Sequence, residues 1–103
     1  MNQILIIITT EPQRDKAKKI SKLLLENNFA ACISLKDISS SYMWDGEIQS
    51  SSEVEITIKS TLENRESIIK ILKDKSSYEL PQIIFKEFYS DLEYFNWVRS
   101  NVI

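Results

Sequence analysis

The dipeptide Asp45-Gly46 constrains the fold of this 103-residue chain more than any other feature, because Gly46 is its only glycine. Aromatic and β-branched residues lie on both sides of it. Asp-Gly between such runs is typical of a β-hairpin turn, since glycine accepts the positive φ that these turns need. The sequence therefore predicts a long hairpin with its tip here. Trp44 at the tip also indicates a partner surface, because a lone small domain would leave this large apolar ring in water.

The register of the hairpin follows from which residues face each other, since directly opposed residues of an antiparallel pair share a face. A three-residue connection, 45–47, opposes Trp44 to Ile48 and Ile38 to Val54, which matches apolar with apolar. A two-residue turn would instead place Trp44 opposite Glu47 and Ile38 opposite Glu53. We therefore expect the three-residue register.

That register requires an irregularity nearer the base of the hairpin. The apolar residues of the first strand alternate in one phase near the tip and in the opposite phase near the base. A bulge of one extra residue near Lys36 or Asp37 allows Leu35 to face Ile56. Such a bulge would bend the outer hairpin away from the domain's own sheet. The sequence therefore predicts a long, bent hairpin.

The rest of the chain predicts two more strands and three helices. Ile4 to Ile8 is a continuous apolar run, typical of a strand buried on both faces at the centre of a sheet. In chain order we predict a strand at 4–8, a helix to about residue 27, hairpin strands at 30–44 and 47–59, a helix from 61, a strand at 83–88 and a last helix behind a Ser90–Glu93 capping box. This βαββαβ order plus a C-terminal helix is the ferredoxin-like split βαβ arrangement, of the α+β class.

Each predicted helix carries an apolar stripe at helical spacing. The stripes are Ala17, Ile20 and Leu24; then Leu62, Ile68 or Ile69, and Leu72; and finally Leu92, Phe95, Val98 and Val102. They identify the faces that we expect to be apolar and buried.

Composition excludes several classes of function. The chain has 15 acidic and 13 basic residues, a net charge of -2, which gives no electrostatic case for binding nucleic acid or an anionic membrane. Histidine is absent, which excludes histidine-dependent triads and the common zinc sites within one chain. The single cysteine, Cys32, cannot form an intrachain disulfide, and its apolar neighbours predict a buried thiol that packs as a small hydrophobe.

The N-terminal apolar run has no basic region before it and is too short for a signal sequence or a membrane span. We therefore expect a cytoplasmic protein.

Six short motifs, in order, resemble the CutA family, named for divalent-cation tolerance. They are Thr9-Thr10, Ala30-Ala31-Cys32-Ile33, Tyr42 through Ile48, Glu53-Val54 through Ile58-Lys59, Tyr78-Glu79-Leu80-Pro81, and Tyr94-Phe95-Asn96-Trp97. Any one of them is weak, but six in the right order make a specific match. The resemblance covers almost the whole chain and implies one CutA-like, ferredoxin-fold domain over residues 1–103.

The resemblance implies a tight homotrimer similar in architecture to the PII signalling proteins, with each hairpin packed against neighbouring subunits. Trp44, Tyr42 and Ile48 are the residues expected at this trimer interface. The function implied is a non-enzymatic role in divalent metal ion tolerance or response, with a ligand that the sequence does not name.

The copper site of copper-binding family members is not expected in this chain. Its ligands, a cysteine and histidines, are replaced by Thr9, Lys75 and Ser76, and an ammonium and hydroxyls are poor copper ligands. No metal-ligating residue is therefore assigned. A hard divalent cation is the alternative cofactor, if three subunits bring together carboxylates such as Glu47, Glu53 and Glu79.

A ligand site is predicted in the clefts between subunits, on the residues that line them in CutA-like trimers. Lys59 and Glu79 could pair across the interface or orient a small ligand, and Tyr42, Trp44 and Tyr78 could supply aromatic walls. The structural alternatives are trimer packing for Tyr42 and Trp44, and an ion pair for Lys59.

Two other classes of function were weighed against a binding or regulatory module. An acylphosphatase-type hydrolase of the same fold needs a glycine-rich anion loop with an arginine after the first strand, whereas residues 9–12 contain no glycine and the first arginine is Arg14. An RNA binder of the RRM type needs aromatic residues on its central strands, and none lies at 4–8 or 54–58. We therefore predict a protein that is not an enzyme.

Overall fold

A computed structural model describes residues 2–103 of the chain. Its strands are β1 (Gln3–Glu11), β2 (Cys32–Trp44), β3 (Glu47–Ser60) and β4 (Ile84–Tyr89). Its helices are α1 (Arg14–Glu26), α2 (Arg65–Lys75) and α3 (Leu92–Ser100), with a short 3₁₀ turn over Leu62–Asn64. The predicted order of elements, βαββαβ followed by a helix, is confirmed.

The strands form one antiparallel sheet in the order β2-β3-β1-β4. β1 has a partner on each side, which confirms the central position predicted from its apolar run. Alternate residues of the paired strands point to opposite faces, so Leu5 and Ile7 share one face with Ile56 and Ile58.

The core lies between that face and the first two helices. Buried side chains from α1 and α2 pack on the sheet residues, and the cluster consists of Leu5, Ile7, Ala17, Ile20, Leu24, Ala30, Val54, Ile56, Ile58, Ile68 and Leu72. The stripe predicted for α1 is therefore confirmed in full. α3 lies against the other face of the sheet, where Lys59 Nζ is 5.7 Å from the centre of the Tyr94 ring.

The hairpin register predicted from apolar pairing is wrong. Trp44 lies opposite Glu47, and Asp45-Gly46 forms a two-residue turn with φ of 52° and 77°. Two successive positive φ values are the signature of a type I′ turn, whose twist matches that of the flanking strands.

The predicted bulge is absent as well, since pairing is continuous from Cys32 opposite Lys59 to the turn. Apolar residues matched across a hairpin stabilise a register only where the face that they share is buried. Around the tip Ile48 is 77% exposed and Met43 is 63% exposed, so the local preference of Asp-Gly decides the register.

Two helix starts also differ from the prediction. Thr61 precedes the 3₁₀ turn rather than α2, and Leu62 is exposed, so the stripe of α2 is Ile68 and Leu72. The cap of α3 is Asp91, whose carboxylate accepts a hydrogen bond from the Tyr94 backbone N–H at 3.2 Å, and not Ser90. Aspartate is as good an N-cap as serine, and it stands one residue nearer to the helix.

The stripe predicted for the last helix is wrong at both ends. Leu92 is 58% exposed and Val102 lies beyond the end of α3, whereas Val98 is fully buried. The helix therefore packs through its middle turns.

Candidate functional site

A cavity of about 610 Å³ lies where the outer hairpin meets the segment between α2 and β4. The hairpin contributes to one wall, and residues 78–82 contribute to the other. Its lining is Thr10, Ser40, Ser41, Tyr42, Trp44, Gln49, Glu53, Tyr78, Glu79, Leu80 and Gln82. This size is in the range of sites that enclose small organic molecules.

The two-residue turn decides which hairpin residues reach this cavity. Because Trp44 opposes Glu47, the side chains of Trp44, Tyr42 and Ser40 share a face with those of Gln49 and Glu53. This is the face opposite to the core residues of β3. The aromatic pair and the carboxylate are thus placed on one face by the register of the hairpin together with strand alternation.

Tyr78 joins the two walls of the cavity. Its hydroxyl donates a hydrogen bond of 2.7 Å to Glu53 Oε1, between the first part of the α2–β4 segment and the hairpin. A hydrogen bond to a charged acceptor is roughly twice as strong as one between neutral groups. This contact positions Tyr78 and its neighbour Glu79 against the hairpin.

A second carboxylate holds the same segment from the core side. Glu11, at the end of β1, is only 2% exposed, and it accepts hydrogen bonds from the Ser77 backbone N–H at 3.1 Å and from the Ser77 hydroxyl at 2.5 Å. Both hydrogen bonds come from neutral donors on one residue. Glu11 therefore anchors the segment one residue before Tyr78.

The sequence reasoning missed Glu11, although a signal for it was present. Leu5, Ile7 and Thr9 occupy alternate positions of β1, and Glu11 continues the same parity onto the buried face. A carboxylate at a buried position requires donors, and such a requirement indicates a structural or functional contact.

The pKa values of the Tyr78–Glu53 pair are displaced in opposite directions. Desolvation acts to raise the pKa of Glu53, but the hydroxyls of Ser40, Tyr78 and Thr10 outweigh it and hold that pKa below the usual value. Burial, the hydrogen bond to Glu53 and the negative charges of Glu53 and Glu11 raise the pKa of Tyr78 far above its ordinary value. At neutral pH the pair is therefore a neutral phenol donating to a carboxylate.

Four of the five residues predicted to bind a ligand lie together at this cavity: Tyr42, Trp44, Tyr78 and Glu79. Lys59 does not. It is six residues further along β3 than Glu53, roughly 20 Å at the rise of a strand, and its ammonium lies over the Tyr94 ring. Within one chain Lys59 is thus part of a cation–π contact, and its place in a cleft between subunits stays a prediction.

The residues expected at a trimer interface lie near the hairpin tip but on both of its faces. Trp44 and Tyr42 are each 42% exposed on the cavity face, whereas Ile48 pairs with Met43 on the other face. Solvent-exposed apolar side chains therefore surround the tip on both sides.

The positions that hold copper ligands in the family are not assembled as a donor set here. Thr9 is buried on the core face of β1, and Lys75 Nζ lies 3.7 Å from Asp74 Oδ2 at the end of α2. Within residues 2–103, no three acidic or cysteine side chains converge closely enough to ligate a metal ion. Hydroxyls and an ammonium group at these positions are poor ligands for copper.

The loop after β1 offers no support for an acylphosphatase-type site. The guanidinium of Arg14 is 2.6 Å from Asp37 Oδ1, so the first arginine of the chain is paired with a carboxylate.

No helix among the described residues has the length and apolar character needed to cross a membrane.

The fold and the cavity together define the class of protein. It is a ferredoxin-like α+β chain whose long hairpin shares an acidic, aromatic-walled cavity with the segment after its second helix. The chain belongs to the CutA1 divalent ion tolerance protein family, whose family model matches residues 5–101. The resemblance seen in the six motifs is thereby confirmed.

Individual relatives agree with this assignment. The divalent-cation tolerance protein CutA of Thermotoga maritima is 33% identical over 101 residues, which cover 97% of this chain and 100% of that protein. The structure of CutA from Synechococcus elongatus superposes with a TM-score of 0.94 at 26% identity. The match covers 100% of this chain and 93% of the Synechococcus chain. The periplasmic divalent cation tolerance protein CutA of Archaeoglobus fulgidus has a TM-score of 0.93 at 29% identity, covering 97% of this chain and 99% of its own.

Proposed function

We propose that this protein is a non-enzymatic homotrimer that acts in the response to divalent metal ions, in the manner of a PII-like signalling module. Membership of the divalent ion tolerance family supports the role in metal tolerance. Trp44, Tyr42 and Ile48, exposed around the hairpin tip, support assembly through the hairpin, because exposed large apolar groups mark association surfaces.

The observation that carries the proposal is the cavity beside the hairpin. It combines the carboxylates of Glu53 and Glu79 with the aromatic side chains of Tyr42, Trp44 and Tyr78. In a trimer built through the hairpins this cavity opens at the cleft between subunits and binds a cation or a small metabolite there. Lys59 is proposed to act in the same clefts.

The cellular location proposed is the cytoplasm. One solved relative is described as periplasmic, which is the alternative location to be tested. Fractionation of the source cells, with the protein detected by antibody, decides between the two compartments.

Native mass spectrometry of untagged protein tests the assembly. We expect a mass near three times the 12.0 kDa chain, with any excess identifying a bound ion or metabolite. A monomer at micromolar concentration would overturn the trimer.

Isothermal titration with copper, zinc, magnesium, nucleotides and small organic cations tests the ligand role of the same sample. We expect heat of binding for at least one of the cations or metabolites offered. A complete absence of heat would count against a ligand role and leave assembly as the remaining function of the hairpin residues.

A further inference from the structure

We propose that the cavity beside the hairpin takes an organic cation, an alkylammonium compound of small-molecule size, rather than a bare metal ion. The inference rests on the proposed function and names the ligand class of the same site. Three properties of the cavity support it: its negative charge, its size and its aromatic and apolar walls.

The charge of the lining selects a cation. Glu53 and Glu79 line the cavity, and no lysine or arginine among the residues the structure describes does so. Glu11 adds a third carboxylate behind Ser77, buried and hydrogen-bonded only by neutral donors. An anionic ligand such as a nucleotide phosphate would meet repulsion here, because like charges in a partly desolvated site destabilise each other.

The size of the cavity and the placement of its oxygens disfavour a bare divalent ion. Calcium and magnesium need six or more oxygen ligands at about 2.0 to 2.6 Å, usually with carboxylates converging on one point. The Glu53 carboxylate already accepts a hydrogen bond from Tyr78, and Glu79 is exposed on the opposite wall. A volume of about 610 Å³ suits a molecule that spans the two walls.

The walls supply the groups that recognise an ammonium carrying alkyl substituents. Tyr42 and Trp44 are aromatic, and an aromatic face attracts a cation within about 6 Å by its quadrupole. Leu80, 72% exposed at the rim, offers an apolar contact to alkyl groups. The carboxylates compensate the positive charge, and the aromatic side chains cover the carbon atoms around it.

Calorimetric titration with choline and with butylammonium tests the inference. The matched control ligand for choline is 3,3-dimethyl-1-butanol, which has the same shape without the charge. We expect at least one of the two cations to bind, and the neutral alcohol to bind at least tenfold more weakly than choline if choline is the ligand accepted. Magnesium chloride is titrated in parallel.

Matched variants locate the site. Glu79→Gln and Glu53→Gln each remove one negative charge, and glutamine retains an oxygen that can accept from Tyr78. We expect each to weaken cation binding threefold or more. Glu93→Gln makes the same change in net charge on the exposed first turn of α3, outside the lining of the cavity, and leaves the affinity unchanged.

The outcomes separate this inference from the proposed function when the assembly state is measured on the same samples. Failure of both organic cations to bind overturns the inference, as does equal affinity for choline and its neutral isostere, or affinity unaffected by both cavity variants. A trimer that binds magnesium and neither organic cation overturns the inference and retains the proposed function. A monomer that binds choline with the expected charge dependence supports the inference and overturns the trimer.

Discussion

Two carboxylates hold the segment between α2 and β4 in place. Glu11 binds Ser77 from the core side, and Glu53 binds Tyr78 from the hairpin side. Consecutive residues of an irregular segment are thus tied to two strands of the sheet. A buried carboxylate is tolerated in this arrangement because both of its oxygens receive hydrogen bonds.

Replacing Glu11 with alanine should lower the free energy of unfolding by about 2 kcal/mol, because the Ser77 N–H and hydroxyl lose a charged acceptor in a partly buried place. Urea unfolding followed by circular dichroism measures the change. The exposed Glu26, in the last turn of α1, supplies the control: Glu26→Ala should stay within about 0.5 kcal/mol of the parent. A Glu11→Ala protein as stable as the control would refute the anchoring role.

The Tyr78–Glu53 contact should make part of the stability depend on pH. The folded pKa of Glu53 lies below its ordinary 4.5, so its contribution is fully present above that value and is lost as pH falls through the folded pKa. Glu53→Gln removes this titration. We therefore expect the variant to lose less stability than the parent between pH 5 and more acidic conditions, as measured by urea unfolding at each pH. Identical acid profiles for the two proteins would contradict the assignment.

The hairpin shows which features of an element its sequence pattern can predict. Its existence, its tip and both strands followed from Asp45-Gly46 and the flanking residues, and they are observed. The predicted register is wrong, because it rests on apolar pairing and not on the local geometry of the turn. At an exposed tip the backbone preference of two residues exceeds the small gain from pairing apolar side chains in water.

Gly46→Ala should test the turn directly. Gly46 has φ of +77°, and a Cβ built there meets no atom within 4 Å, so the cost is purely conformational. We expect a loss of about 1 kcal/mol in the stability of the hairpin tip, seen as faster amide hydrogen exchange in the flanking residues. Asp45→Asn is the control, because asparagine tolerates the positive φ of that position, and it should leave exchange unchanged. Equal protection in Gly46→Ala and the parent would exclude the type I′ turn.

At the scale of the whole molecule, the hairpin extends well away from the core. The chain measures 45 × 25 × 22 Å, and the apolar residues at the hairpin tip are exposed, whereas at its base those of β3 are buried and those of β2 are half-buried. A single chain therefore leaves its outer hairpin without a hydrophobic partner. Association of copies is the physical means by which such a surface is removed from water.

Trp44→Ala should weaken the proposed trimer, costing roughly 2 kcal/mol or more if the ring is an anchor of the interface. Sedimentation velocity over a range of concentrations measures the shift towards smaller species. Trp44→Phe retains an aromatic ring and should weaken assembly less.

Ile48→Ser separates an effect on assembly from an effect on folding. Ile48 is 77% exposed in one chain, so the change should leave the monomer folded by circular dichroism while it destabilises the trimer. Sedimentation profiles unchanged in both Trp44→Ala and Ile48→Ser would contradict assembly through the hairpin.

The order of elements, the central position of β1, the hairpin and its tip can be predicted from the chain alone, because each depends on local periodicity or on the conformational preferences of a few adjacent residues. Four of the five residues predicted to bind a ligand lie at one cavity, and all four belong to the family motifs from which they were predicted. Tertiary packing decides the burial of Glu11 and the position of Tyr78 against Glu53, neither of which sequence spacing predicts. These depend on which face of a strand meets the core and on what a segment distant in sequence places against it, and such contacts arise only when the sheet and helices pack together.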